Sequence, residues 1–384
     1  MLTGQRRTII VAATTPGFFL DLLKSQFVEL SKRYNLVLCC PAASELQKFC
    51  ADNNILLEPL NIRRKPSIVS DVRVTIAVTH IIRKYRPALV MTYNPKAGFV
   101  FALAKTFYRR ELFVHNFTGL IFPYAGGLKR LILASFDKFV LYTADVCVAE
   151  SDGVAVQLRS LNVSSANIVK IGDGNVAGVD FSRFHFPDSE LRKQARDSLG
   201  LVSEEIMCIF VGRITPDKGV LELIDAFSQV KLDRPELRLL LAGDADDNLE
   251  YYAAFENAIT DQSGISHLGK RTDIPALMQA ADFVVLPTRR EGFSNTGLEA
   301  QASGVPLLIN DVPGASETLS GEGLGVLMSG NGADSIADGI REMLVYIKDV
   351  DATKKYACAK RIKKAYSRDQ VTVNYLSFVE KMLG

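Results

Sequence analysis

Apolar positions along the chain follow two periods. Short, β-branched runs that are almost uniformly apolar alternate with stretches in which apolar residues recur every three to four positions. The first pattern predicts strands buried on both faces and the second predicts amphipathic helices. Strand runs are TIIVAATT (8–15), NLVLCCP (35–41), PALVMTY (87–93), ELFVHNF (111–117) and ADVCVAES (144–151). Helical spacing fills LDLLKSQFVELSKRY (20–34), SDVRVTIAVTHIIRKYR (70–86), about 96–108 and about 126–143. Such alternation predicts a parallel sheet with helices on both faces.

The periodicity breaks into Gly, Asp, Asn and Pro over 168–188, a loop signature, and then restarts. EIMCIFVGRI (205–214), LRLLLAGD (237–244), GISHLG (264–269), ADFVVLP (281–287) and PLLIND (306–311) read as strands. GVLELIDAFSQV, NLEYYAAFENAI, DIPALMQAA and GLEAQAS read as the helices between them, and the tail from about 335 to 383 as mostly helical. At roughly 150 residues per domain, 384 residues suit two domains. The reading is α/β: two Rossmann-like doubly wound domains, 1–170 and 171–384, with the last helix a candidate to pack back on the first. They are expected to face one another across a cleft, with the ligand at the carboxyl ends of the strands. Neither first turn, TTPGFF (14–19) or VGRITPDKG (211–219), contains GxGxxG. This disfavours a nicotinamide or flavin dehydrogenase.

Composition narrows the classes. Apolar residues at 48% and charged residues at 23% are ordinary for a globular chain. No apolar run approaches the roughly 18 residues of a membrane span, and the stretch after Arg7 is short for a signal peptide. Six cysteines without CxxC spacing and four histidines indicate neither a disulfide framework nor a metal site. The net charge of +2 conceals an asymmetry: residues 1–170 hold 22 Lys and Arg against 11 Asp and Glu, the remainder 23 against 32. The first half is therefore expected to meet an anionic partner: a membrane surface, a phosphorylated lipid or a nucleic acid.

Two segments carry the chemistry. In PTRREGFSNTGLEAQASGVPLL (287–308) a turn follows a strand and opens a helix, placing Gly292, Phe293, Ser294, Asn295 and Thr296 at a helix amino terminus. Unpaired N–H groups and the helix dipole favour an anion such as a diphosphate there. Glu291 and Glu299 flank that turn, suited to hydroxyl groups on either side, one of a sugar and one of a ribose. In VGRITPDKGV (211–220), Arg213 leaves the strand end and Lys218 precedes Gly219 at the next helix, so both cations suit a departing diphosphate.

Together the GR…DKG segment and the E-x7-E motif within EGF…LEA…G.P resemble the nucleotide-sugar half of family 4 glycosyltransferases of GT-B fold. Here these are Gly212 and Arg213, Asp217 to Gly219, Glu291 to Glu299, Gly304, Pro306 and PGASE (313–317). NIRRKPSIVSD (61–71), YNPKAG (93–98), HNFTGL (115–120) and IGDGNVAGVDFSRF (171–184) are similar to the branch that extends lipid-linked sugars for capsule and O-antigen. The chain departs from that branch where a His is more usual near Tyr93 and Asn94, and where Ser294 replaces a common Pro.

The resemblance implies retaining transfer from a nucleoside diphosphate sugar, UDP-linked by default, with no cofactor and no metal. Glu299 would bind the ribose, Glu291 the donor sugar, Arg213 and Lys218 the diphosphate, residues 293–296 the distal phosphate, and HLGKR (267–271), through Gly269 and Lys270, the base. His115 would face the donor sugar, and Gly17 would let backbone approach the diphosphate or acceptor. Arg63, Arg64 and Lys96 are candidate partners for acceptor phosphates. The implied acceptor is an undecaprenyl diphosphate saccharide, with no nucleic acid, and the implied location is cytoplasmic, peripheral to the inner membrane. The amphipathic segment 126–142 is a candidate docking helix. The alternative on the same architecture is a nucleotide-sugar epimerase or hydrolase.

Overall fold

The computed structural model describes residues 6–63, 67–107, 111–186, 189–244, 248–260, 262–321 and 323–384. The chain forms two compact units, one of residues 1–178 with 368–384 and the other of 179–367.

The first unit is built on strands β1 (Thr8–Ala12), β2 (Asn35–Cys40), β3 (Leu56–Pro59), β4 (Leu89–Tyr93), β5 (Leu112–Phe117), β6 (Val146–Ala149) and β7 (Ile168–Val169). Between them run α1 (Pro16–Leu22), α2 (Lys24–Arg33), α3 (Ser44–Asp52), α4 (Ile68–Tyr85), α5 (Pro95–Lys105), α6 (Gly127–Thr143) and α7 (Asp152–Arg159). All pairings are parallel in the order β3-β2-β1-β4-β5-β6-β7. Strands β1, β2, β4 and β5 are buried along nearly their whole length, which is why their sequences do not alternate. One core packs α4 to α7 against one face, and another packs α1 to α3 against the opposite face.

The second unit contains α8 (Ser189–Ser198), β8 (Ile206–Val211), α9 (Val220–Lys231), β9 (Leu237–Ala242), α10 (Leu249–Ile259), β10 (Ile265–Gly269) and α11 (Ile274–Ala280). It continues through β11 (Phe283–Leu286), α12 (Asn295–Ala302), β12 (Leu307–Asn310), β13 (Gly325–Met328), α13 (Ala333–Asp349) and α14 (Ala352–Tyr366). Its parallel sheet has the order β10-β9-β8-β11-β12-β13. The strand order reverses between β8 and β11, and between β1 and β4 in the first unit; such switch points open a crevice at the carboxyl edge of a sheet.

Two features differ from the sequence reading. The helix expected over 20–34 is two helices, broken at Leu23. The division falls after Gly178 and not at 170, because the intervening loop is fastened to the first unit: Gln26 Nε2 donates to the Val176 carbonyl at 2.7 Å. The final helix, α15 (Arg368–Leu383), also belongs to the first unit, where Val371, Tyr375, Leu376 and Val379 are buried. There the Tyr93 hydroxyl donates to that of Tyr375 at 2.9 Å, and Glu380 pairs with Arg33 of α2.

Candidate active site

At the switch point of the second sheet, the turn after β8 and the loop after β11 lie side by side. The first turn passes Gly212 and Arg213 into a short 3-10 segment, Pro216–Lys218, and closes at Gly219, whose φ is +68°. A Cβ there would lie 2.4 Å from the Pro287 carbonyl oxygen, so only glycine lets this turn rest against the loop after β11. Asp217 joins the two. Its carbonyl accepts from the Arg289 N–H at 2.8 Å and from the Thr288 hydroxyl at 3.3 Å, and its carboxylate pairs with Arg290 at 2.9 Å. Burial alone would raise the Asp217 carboxyl, but the Thr215 side chain and the charges of Arg290, Lys218 and Arg213 bring it below its ordinary value. One residue along, Lys218 Nζ pairs with Glu291 Oε1 at 2.5 Å, with both side chains under one-fifth exposed.

The loop then enters α12. Ser294 is its N-cap: the hydroxyl accepts from the Gly297 N–H at 3.2 Å, while the Ser294 N–H donates to the Gly314 carbonyl at 3.1 Å. Lys218, Glu291, Phe293, Ser294, Asn295 and Thr296 line a pocket of about 160 Å³, along with Gly212 and Thr288. Asn295 and Glu299 are four residues apart on α12 and share a face, so Glu299 stands one turn behind the pocket wall, half-buried. Gly292 is buried in the loop itself. Arg213 is exposed immediately after Gly212, close enough for its charge to act on Asp217. Lys218, Glu291 and residues 293–296 thus converge on one pocket.

The remaining expected residues lie elsewhere in their units. Gly269 ends β10 and Lys270 follows it, exposed, outside the pocket lining. Gly17 sits inside the first turn of α1, and a Cβ there would meet nothing closer than Asp21 at 3.4 Å, so this position does not require glycine. Lys96 is paired with Asp71 at 2.5 Å, both side chains being largely buried. Arg63 is exposed, and Arg64 lies outside the described residues. Among the described residues no His, Cys, Asp and Glu cluster could hold a metal, and no helix is long and apolar enough to cross a membrane.

His115 lies inside β5, two residues before its end. β5 continues to Phe117, leaving His115 only 1% exposed. Its Nδ1 is 2.7 Å from the Thr92 hydroxyl, its ring stands edge-on to Phe117, and a Cβ on Gly98 would reach within 2.3 Å of it. Burial depresses its pKa to about 3, so the folded chain holds a neutral imidazole. The unfolded chain takes up that proton below about pH 6.5. The contribution of His115 to stability is therefore constant above pH 6.5 and falls by up to about 1.4 kcal/mol per unit as pH drops toward 3. Urea unfolding across that range should show a shallower decline for His115→Gln than for the unmodified protein. Equal slopes would exclude this histidine as the source.

Some relevant residues escaped the sequence reading. Thr288, Arg289 and Arg290 hold the carboxylate loop in place, with Arg289 pairing to Glu222 of α9. The Arg-Arg pair before Glu291 was the available signal. At the first unit's switch point, the Asn94 side chain accepts from the N–H of Thr14 at 3.1 Å and from its hydroxyl at 3.2 Å, with Asn94 held at φ +67°.

Two doubly wound units, one with a helix-capped pocket between a cationic turn and a carboxylate loop, have the architecture of the GT-B glycosyltransferases. The family models agree: residues 192–359 match glycosyl transferases group 1, and residues 25–174 match the glycosyl transferase 4-like domain. The chain belongs to these glycosyltransferases and is an enzyme that transfers sugar. It is 24% identical over 380 residues to the capsular polysaccharide biosynthesis glycosyltransferase CapM of Staphylococcus aureus, covering 95% of this chain and 96% of that one. It is 23% identical to the UDP-Gal:alpha-D-GlcNAc-diphosphoundecaprenol alpha-1,3-galactosyltransferase of Escherichia coli, covering 81% and 80%. In fold it is similar to Anabaena Alr3699/HepE, solved in complex with UDP-glucose, with a TM-score of 0.79 at 20% identity over 97% and 99% of the two chains.

Proposed function

We propose that the protein is a retaining transferase that moves a hexosyl or N-acetylhexosaminyl group from a UDP-sugar to a hydroxyl of an undecaprenyl diphosphate saccharide, in the synthesis of a cell-surface polysaccharide at the inner membrane. The observation that carries this reading is the pocket in which Lys218, Glu291 and the amino terminus of α12 meet. The diphosphate rests at the amino terminus of α12, where the helix dipole favours an anion, with Lys218 and Arg213 beside it. Glu291 takes a donor sugar hydroxyl, Glu299 the ribose, and the end of β10 the base.

The acceptor hydroxyl attacks the anomeric carbon on the face from which the diphosphate leaves. As the new C–O bond forms and the C–O bond to phosphate breaks, the hydroxyl proton passes to the departing phosphate oxygen. The two cations stabilise the charge that develops there. No metal enters this scheme. His115, neutral and sealed in its core, acts by fixing the start of α5 and makes no contact with substrate. Support for the donor and acceptor comes from the Escherichia coli relative named for UDP-Gal and an undecaprenol-linked acceptor, and from the UDP-glucose complex of the similar fold.

Thermal unfolding with UDP-, GDP- and dTDP-sugars tests the donor. At a hundredfold excess over Kd, the right one should add about 2.7 kcal/mol. Stabilisation by GDP- or dTDP-sugars alone would replace UDP, and no stabilisation by any would overturn the pocket assignment. The anomeric configuration of the product, read by NMR coupling constants, tests retention.

A further inference from the structure

The first unit leaves apolar surface uncovered on two of its helices. α4 buries Val74, Val78, Ile81 and Ile82 in the core, yet its opposite side carries Ile68, Val72 and Ile76 at 83%, 53% and 53% exposure. These are spaced i, i+4, i+8, a continuous stripe over two turns. On α6, which buries Val140 and Leu141, the first half exposes Leu128, Leu131 and Ile132 at 72%, 65% and 46%. A helix of a water-facing domain ordinarily turns polar side chains outward on the face away from its core.

Both stripes lie toward one edge of the sheet. In a parallel α/β unit the helices run opposite to the strands, so the amino-terminal halves of α4, α5 and α6 gather at the carboxyl edge. The ion pair between Asp71 in the first turn of α4 and Lys96 in the first turn of α5 confirms this for that pair. α4 and α6 each pack against α5, so at 8–10 Å per helix pair their axes are about 16–20 Å apart.

Charge identifies the occupant. Lys129 and Arg130 lie exposed among the apolar residues of α6, and residues 126–136 contain no carboxylate. Arg73 is exposed beside the α4 stripe, and the single carboxylate within 60–80 is Asp71, neutralised by Lys96. Apolar side chains accompanied only by cations suit acyl chains beneath phosphate headgroups.

We infer that the outward stripes of α4 and α6 form one docking surface for an anionic phospholipid membrane. This deepens the proposed function and rests on its lipid-linked acceptor. Docked this way, the carboxyl edge of the first sheet meets the headgroup layer, where an acceptor diphosphate emerges from the bilayer.

The full chain should float with phosphatidylcholine vesicles doped with phosphatidylglycerol and not with phosphatidylcholine alone, and added salt should weaken the binding. Val72→Glu with Ile76→Glu, and separately Leu128→Glu with Leu131→Glu, should each lower partitioning at least tenfold. Circular dichroism and thermal stabilisation by UDP-sugar should be unchanged in both. Lys129→Ala with Arg130→Ala should remove the preference for phosphatidylglycerol. Absence of vesicle binding, binding unaffected by either Glu pair, or a dimer in light scattering that those pairs dissociate would each overturn the inference. Donor stabilisation without vesicle binding sinks the docking surface and leaves the donor pocket standing. Vesicle binding without donor stabilisation does the reverse.

Discussion

Lys218→Ala is expected to lower kcat/KM for sugar transfer by about 10²–10³-fold, the effect of removing one charged donor aimed at a developing oxyanion. The loss should fall mainly on kcat, because the phosphate charge that Lys218 is proposed to face is greatest as the bond to the sugar breaks. The substitution also removes the partner of Glu291, leaving a carboxylate that is only 17% exposed without its 2.5 Å ion pair. Stability should therefore fall too, by about 1–3 kcal/mol. Lys218→Arg restores the charge and should recover stability better than turnover, since a planar guanidinium does not reproduce a point ammonium. Steady-state kinetics with saturating acceptor, paired with urea unfolding, separate the two effects. Turnover of Lys218→Ala within threefold of the unmodified enzyme would remove this lysine from the diphosphate site.

Gly219→Ala should be the most damaging single methyl in the second unit. The backbone at φ +68° costs a residue with a Cβ about 1–2 kcal/mol, and the added carbon would meet the Pro287 carbonyl oxygen at 2.4 Å. Backbone must then shift, for a further cost of about 1–3 kcal/mol. The shift separates the turn holding Lys218 from the loop holding Glu291, so donor affinity should fall with stability. Ala substituted at Gly17, where φ is ordinary and no atom lies within 3.4 Å, is the control and should be nearly neutral. A thermal midpoint for Gly219→Ala equal to that of the control would refute the close approach.

How much could be read in advance followed from whether a signal was local. Strands buried on both faces announce themselves, and β1, β4, β8 and β11 were legible as uniform apolar runs. Edge β3, exposed or half-buried at every position, has no such run and passed unnoticed, as did polar α3 beside it. The break at Leu23 was invisible for a different reason. Phe19, Leu23, Phe27 and Leu30 keep helical spacing straight through it, all of them fully buried. At the site, the interval from Glu291 to Glu299 and the cap at Ser294 are sequence-local, so the pocket wall could be anticipated. The bond of Arg290 to Asp217 and the pairing of Lys96 with Asp71 join residues 73 and 25 positions apart, and only the folded chain brings them together. The enclosure of His115 is equally non-local, since the Thr92 hydroxyl and Gly98 that surround its ring come from β4 and α5.

The return of α15 to the first unit makes that half of the molecule discontinuous. A fragment ending at Gly178 would lack the helix that covers Phe27, Tyr93 and their neighbours, and would present that bare face to solvent. Yet the two extremities of the unit are neighbours, for the guanidinium of Arg7 donates to the carbonyl of Leu383. A permuted chain starting at Arg368, passing through a short glycine-serine bridge into Arg6 and stopping at Gly178, would supply the first unit as one uninterrupted polypeptide for study by itself.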